Sequence, residues 1–339
     1  MNPAADPPAN FGKNVKDIDR MILHLVAERT KAAASGDAGI DAEELRKAVE
    51  GTSLDRDTAE AVIDILKKTA AEMGPQCKPS ESKRICVVGG RGKMGIWLGG
   101  LFASAGHSVT AVDKAPGCDH DISIAAECDI VAVATPISAI SGILRELDGI
   151  CGDQAIFDIS SLKSPFIDVL TDMGSRRRVC SVHPMFGPGA KSMRGRNLIV
   201  CDCGNAEATG SVSELFGGRG ANIVGMPVED HDRYMSYVLG LSHAVNIAFF
   251  TVLERSGIPL EEFMSVASTT FKKNVDTNES VALEDPALYY EIQHLNSDSA
   301  KVWEEFSEAV KDVRAASLSD RSEEFTNLMA RGRAFFTRG

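Results

Sequence analysis

Arg84-Ile85-Cys86-Val87-Val88-Gly89-Gly90-Arg91-Gly92-Lys93-Met94-Gly95, with Asp113 placed 23 residues after Gly90, is the stretch that decides the fold. Ile85 to Val88 is a short apolar run, which predicts a buried strand. Gly90, Gly92 and Gly95 follow in GxGxxG spacing, and Met94 to Ala105 predicts an amphipathic helix. Strand, glycine turn and helix in that order build a dinucleotide phosphate site. Gly90 is expected to make the tight turn, Gly92 to let backbone approach a pyrophosphate, and Gly95 to let helix pack on strand. The helix N-terminus, with Arg91, Lys93 and Met94 around it, offers free N–H groups and a positive dipole end. His107 to Asp113 reads as a second strand ending in a carboxylate. Such a carboxylate accepts hydrogen bonds from the adenosine ribose and repels a 2′-phosphate, so NAD is favoured over NADP. The adjacent Lys114 weakens that preference.

The rest of the composition narrows the class. The 339 residues leave room for two or three domains. The net charge of -12 argues against a nucleic-acid partner. No apolar run is expected to span a bilayer. Met1 to Asn10 lacks the basic start and apolar centre of a secretory signal and reads as a disordered leader. Eight cysteines include no CxxC and no Cys/His group at zinc spacing, so no metal is expected and a reduced, cytoplasmic protein is the simplest account.

Residues 11–74 read as a small helical domain, with Val15, Ile18, Ile22, Leu25 and Val26 in helical rhythm. Residues 75–83 read as a linker. From 84 to 226, strands near 85–88, 108–113, 129–134, 155–158, 179–182, 197–201 and 221–225 alternate with helices such as 138–147 and 163–173. That pattern predicts an α/β Rossmann domain with a mainly parallel sheet. Residues 227–339 read as an all-α domain, suited to forming a second wall of the active site and an oligomer interface.

Chemistry in such folds gathers at the carboxyl ends of strands. Thr135 and Pro136 end one strand, placed either to flank a nicotinamide or to make an ordinary strand-to-helix turn. Ser161 and Lys163 follow Asp158 at the expected mouth of the crevice, where Ser160 or Ser161 is alternatively a helix cap. His183, at a strand end before a stiff Pro/Gly turn, suits proton transfer from an alcohol during hydride loss. His243 sits in an apolar helix and by itself reads as a core histidine. His231 reads as a solvated helix start. Lys272 and Lys273 are either partners for an anionic substrate or solvent-facing.

Gly-Gly-x-Gly-x-Met-Gly, Asp158-x-x-Ser-x-Lys163, His183-Pro-Met-Phe-Gly-Pro188, Asp230-His-Asp232 and Leu241-Ser-His243, in that order, resemble the prephenate dehydrogenase family over about residues 84–310. The resemblance implies a Rossmann domain followed by a helical dimerisation domain, a homodimer, and NAD(P)-dependent oxidation of prephenate or arogenate in tyrosine biosynthesis. It implies that His183 deprotonates the ring hydroxyl, that Ser161 contacts the same hydroxyl, and that His243 lines the substrate pocket. One departure bears on the substrate. The position of the family arginine that grips the ring carboxylate is Ser280 here, with Lys272 or Lys273 as nearby substitutes that lack arginine's bidentate fork. Arogenate and 4-amino-4-deoxyprephenate therefore stand beside prephenate as substrates, and a non-catalytic NAD-binding role stands as an alternative. The N-terminal helices resemble a small chorismate mutase domain through Ile18-Asp19 and Leu25-Val-Ala-Glu-Arg29. Only Arg29 of the expected cations is matched, which implies a degenerate domain rather than a bifunctional enzyme.

Overall fold

The computed structural model describes residues 14–34, 39–72, 81–116, 118 and 120–338. The expected leader and most of the expected linker lie outside these residues. Three helices come first, α1 (Val15–Ala34), α2 (Ala42–Val49) and α3 (Arg56–Glu72), and they pack on one another. Asp41 caps α2: its side chain accepts from the Glu43 and Glu44 backbone while Glu44 reaches back to the Asp41 N–H. Glu44 is thus used to start a helix.

Seven strands then form one sheet: β1 (Arg84–Val88), β2 (Ser108–Val112), β3 (Ile130–Val133), β4 (Ala155–Asp158), β5 (Val179–Pro184), β6 (Asn197–Asp202) and β7 (Asn222–Pro227). Their order is β2-β1-β3-β4-β5-β6-β7. All neighbours run parallel except β5 and β6, which are antiparallel. β3, β4 and β5 are buried along their whole length. This is why their sequences are continuous apolar runs without alternation: helices cover both faces. On one face lie α4 (Lys93–Ser104) and α7 (Ala206–Phe216), which bury Leu98, Phe102, Val212 and Phe216 against Ile85, Phe157 and Val200. On the other lie α5 (Ile137–Ile150), α6 (Ile167–Gly174) and α8 (Val228–Met235), which bury Ile140, Leu144, Leu170 and Met235 against Cys86, Val131 and Ile156. This is the expected α/β Rossmann layer. Seven of the cysteines are described, all as free thiols. Burial pushes those of Cys86 and Cys201 up to about 12, so they act as small apolar side chains.

The remaining chain is helical: α9 (Ser242–Arg255), α10 (Leu260–Ser265), α11 (Thr269–Ala282), α12 (Pro286–Leu295), α13 (Ser299–Leu318) and α14 (Ser322–Phe336). A π-helical turn, Ser236–Leu241, joins α8 to α9. Val228–Arg255 is therefore one helix of 28 residues, long and apolar enough by composition to cross a membrane. That corrects the expectation that no such segment exists. The polar Ser236, Ser242, His243 and Asn246 interrupt the apolar run, whereas the charges gather at the helix ends, from Glu229 to Arg233 and at Glu254 and Arg255. The first turns of this helix pack into the sheet's core through Val228 and Met235.

Candidate active site

The order of the strands makes a crevice. β1 has β2 on one side and β3 on the other, and the connections leave in opposite directions at that point. Ligands bind in open α/β sheets at such a switch point, beyond the carboxyl ends of the strands. The glycine turn lies there. The tight turn belongs to Gly89 rather than to Gly90 as expected: Gly89 has φ +83°, and a Cβ on it would come within 2.5 Å of the Ala134 carbonyl oxygen. Gly95 packs closest, since a Cβ there would stand 2.1 Å from the Gly89 oxygen. Gly90 is buried, while Arg91, Gly92 and Lys93 are exposed at the opening of α4 and Met94 packs beside the core. No side chain caps that helix, so its first N–H groups remain for a ligand. Asp113 follows β2. Its carboxylate accepts from Arg91 N (2.9 Å) and Ala115 N (3.0 Å), which ties the glycine turn to the second strand and leaves lone pairs for a sugar hydroxyl. Thr135 stands just past the end of β3 against Gly89, its Oγ1 buried and, among the described residues, without a hydrogen-bond partner. Pro136 is exposed and begins α5. A cradle too tight for a Cβ, an uncapped helix start and an orphaned hydroxyl fit a dinucleotide.

Across the crevice, His183 ends β5 and is only 4% exposed. The loop after it is held over α4: Trp97 Nε1 donates to Ala190 O at 2.7 Å, and the Trp97 and Phe186 rings meet edge-on at 5.1 Å. His183 Nδ1 lies 3.0 Å from His231 Nε2, and His231 Nδ1 lies 2.6 Å from Asp232 Oδ1. Asp232 also accepts from the backbone N–H of Lys163 and Ser164 and from the Ser164 hydroxyl. The tautomers follow from this chain. Asp232 is an acceptor, so His231 carries its proton on Nδ1 and presents Nε2 as an acceptor. His183 then donates from Nδ1, which leaves a lone pair on Nε2. Burial holds His183 well below its ordinary range, helped by the neighbouring His231 and Lys163. Burial lowers His231 too, against the opposing hydrogen bond to Asp232. Burial works against the Asp232 charge, but the hydrogen bonds from His231 and Ser164 outweigh it and keep the carboxyl below its usual value. At neutral pH the chain is a carboxylate and two neutral imidazoles, with Nε2 of His183 as the accepting end.

Two expectations are corrected here. Lys163 does not stand at the crevice mouth. It is fully buried, with Nζ 2.9 Å from each of Asp158 Oδ1, Ser160 O and Val182 O. Three oxygens take up its three protons, so it holds β5 in place beneath His183 rather than binding substrate. His231 is not a solvated helix start but is completely buried between His183 and Asp232. A signal for this was present in the sequence: Val228, His231, Asp232 and Met235 share one helical face. Ser160 is bonded within its own loop, to Asp158 and Leu162 O, whereas Ser161 is half-buried and, among the described residues, unbonded. His243 is half-buried, its ring stacked on Tyr289 at 4.2 Å and its Nδ1 without a hydrogen-bond partner. On α11, Lys272, Lys273 and Ser280 are exposed, and Ser280 bonds to Thr277 O of its own helix. The buried residue of that helix is Asn278, whose Oδ1 has no partner. Among the described residues, no group of His, Cys, Asp and Glu is arranged to hold a metal.

Residues 101–225 match the nucleotide-binding domain of prephenate dehydrogenase, and residues 227–331 match its dimerization domain. The chain belongs to the prephenate dehydrogenase family. The first match begins after the glycine turn, and the three N-terminal helices lie outside both. Among relatives, a probable arogenate/prephenate dehydrogenase of Methanocaldococcus jannaschii is 25% identical over 72% of this chain, which spans 59% of that protein's length. A 4-amino-4-deoxyprephenate dehydrogenase of Streptomyces pristinaespiralis is 23% identical over 72% of this chain and 87% of its own. The crystal structure of prephenate dehydrogenase from A. aeolicus with hydroxyphenyl propionate and NAD+ shares the fold, with a TM-score of 0.63 at 19% identity over 76% of this chain and 98% of that one.

Proposed function

We propose that the chain is an NAD-dependent dehydrogenase that oxidises and decarboxylates a cyclohexadienol such as prephenate, with His183 as the base. The observation that carries this reading is the Asp232–His231–His183 chain, in which His183 Nε2 is the accepting nitrogen left without a partner inside the chain. The relatives' names support the substrate class. The glycine turn, Asp113 and Thr135 would hold the dinucleotide, and the bound nicotinamide supplies the hydride acceptor. His183 Nε2 accepts the ring hydroxyl proton as the carbon bearing it loses hydride. The charge that appears on His183 is shared through His231 towards Asp232. The proton returns to the ring oxygen as carbon dioxide departs and the ring becomes a phenol, so acid and base are the same residue. Ser161, with a free hydroxyl at the end of β4, contacts the same oxygen. His243 and Tyr289 line the ring's pocket. The exposed Lys272 and Lys273 are candidate partners for a carboxylate in the absence of an arginine at Ser280. The helical domain pairs two copies of the chain.

The test is NADH formation, followed by absorbance, with prephenate, arogenate and 4-amino-4-deoxyprephenate offered separately. Turnover of one of them, lost in His183→Ala with NAD binding intact, is the expected result. Undiminished turnover in that variant would remove His183 from the chemistry. NAD binding without turnover of any of the three would move the reading to a non-catalytic role.

A further inference from the structure

The helix that carries His231 and Asp232 is the same one that carries His243, and its π-turn decides how the two ends face. Along α8 the buried residues are Val228, His231, Asp232, Met235 and then Ser236, the i, i+3, i+4, i+7, i+8 stripe of an α-helix. An unbroken α-helix would continue that stripe through Leu239 and His243. The residues buried instead are Gly240 and Ala244. The stripe has slipped by one residue, which is the insertion a π-turn makes. At about 100° per residue, an unbroken helix would put His243 about 120° round the axis from His231. With one residue absorbed, the two stand about 20° apart. The turn thus brings His243 round to the edge of the helix face that carries His231, beside the buried Ala244.

Such a turn disturbs the regular backbone pairing and needs outside partners. Gln293 on α12 provides one: its Nε2 donates to Gly240 O at 2.8 Å. Trp303 on α13 donates to Gln293 Oε1 at 3.0 Å and so fixes which way the amide points. Beside them Ser299 Oγ is buried and, among the described residues, without a partner, and Ser299 lines, with Ser236, Gly240 and Gln293, a cavity of about 10 Å³. We infer that Gln293 is a positioning residue: aimed by Trp303, it stabilises the π-turn that presents His243 on the same helix face as His231, and so sets how well the ring substrate is held. The inference rests on the dehydrogenase reading for its kinetic arm alone.

Gln293→Leu keeps the size and removes the donor. In the full-length protein the expected result is a KM for the ring substrate raised roughly tenfold, the worth of about one buried hydrogen bond. NAD affinity and the pH profile of kcat stay as in the wild type. His243→Ala adds less in the Gln293→Leu background than in the wild type, because the two act through one another. A second arm needs no turnover. Burial lowers His243 from its ordinary value, and histidine-ring NMR of the Gln293→Leu protein should show its titration moving back up while His183 and His231 stay unchanged. A lowered Tm with both KM and the His243 titration unchanged would overturn the inference. If the wild type turns over no ring substrate, the NMR arm decides alone.

Discussion

Replacing Asp232 by Asn removes one charge and turns one acceptor into a donor, at a residue only 5% exposed. The carboxylate accepts from His231, from the backbone of Lys163 and Ser164, and from the Ser164 hydroxyl. An amide serves these donors with one oxygen. If its NH2 faces His231, it donates to Nδ1, and the proton order of both imidazoles reverses. His183 then carries hydrogen on Nε2 and cannot accept one. Losing a correctly poised base costs about 10²- to 10⁴-fold. If the NH2 faces Ser164 instead, the tautomers survive but the charge does not. Hydrogen bonds of 2.6 and 3.0 Å and two imidazole rings separate Asp232 from the far nitrogen of His183, a span on the order of 8 Å for the Coulomb estimate. A unit charge at that distance in an effective dielectric of about 20 is worth about 2 kcal/mol, or roughly thirtyfold in favour of the protonated intermediate. The expected outcome is a kcat lowered by at least about thirtyfold, with NAD affinity unchanged. The lost hydrogen bonds to a charged group, about 1.5–3 kcal/mol each, should also lower Tm by several degrees. The assay is NADH formation with the best of the three ring substrates, alongside NAD titration and thermal melting. A variant within about threefold of wild-type kcat would refute the relay.

Lys163→Met should destabilise by about 3–5 kcal/mol, because it leaves Asp158 buried and unpaired, and thermal melting checks this. A stable variant with only a raised KM would return Lys163 to the substrate. Gly95→Ala should abolish NAD binding or folding, since its Cβ meets backbone at 2.1 Å, whereas Gly100→Ala, with open space around it, should bind NAD normally in the same titration. Stability should be full above about pH 6.5 and should fall as the pH drops below it. Burial depresses His183, His231 and His243, so the unfolded chain takes up protons first. Denaturant melts between pH 7.5 and 5 measure it, and a midpoint that rises on acidification would contradict the buried neutral imidazoles.

The Rossmann unit and its crevice were legible in the sequence because the signals are local. Four apolar residues leading straight into a glycine turn and a helix read as a strand buried on both faces, and the spacing of Gly90, Gly92 and Gly95 records where backbone must approach backbone. A carboxylate at Asp113 closes a strand of the expected length. The place of His183, at the end of a strand before a rigid turn, was legible for the same reason. Tertiary structure alone decided which charged residues face the crevice and which support it. Lys163 and Ser161 are two residues apart, and sequence cannot say that Asp158 and Val182 O capture the first while the second stays free. The face that His231 and Asp232 share with Val228 and Met235 hints at burial, but only the closing of β5 and the 163–164 turn decides which groups they meet. The face shown by His243 depends on a one-residue slip in a helix, held by Gln293 53 positions beyond Gly240. Long-range hydrogen bonds of that kind leave no periodicity in the chain. They arise only when separate elements pack and each buried polar group must find its partner.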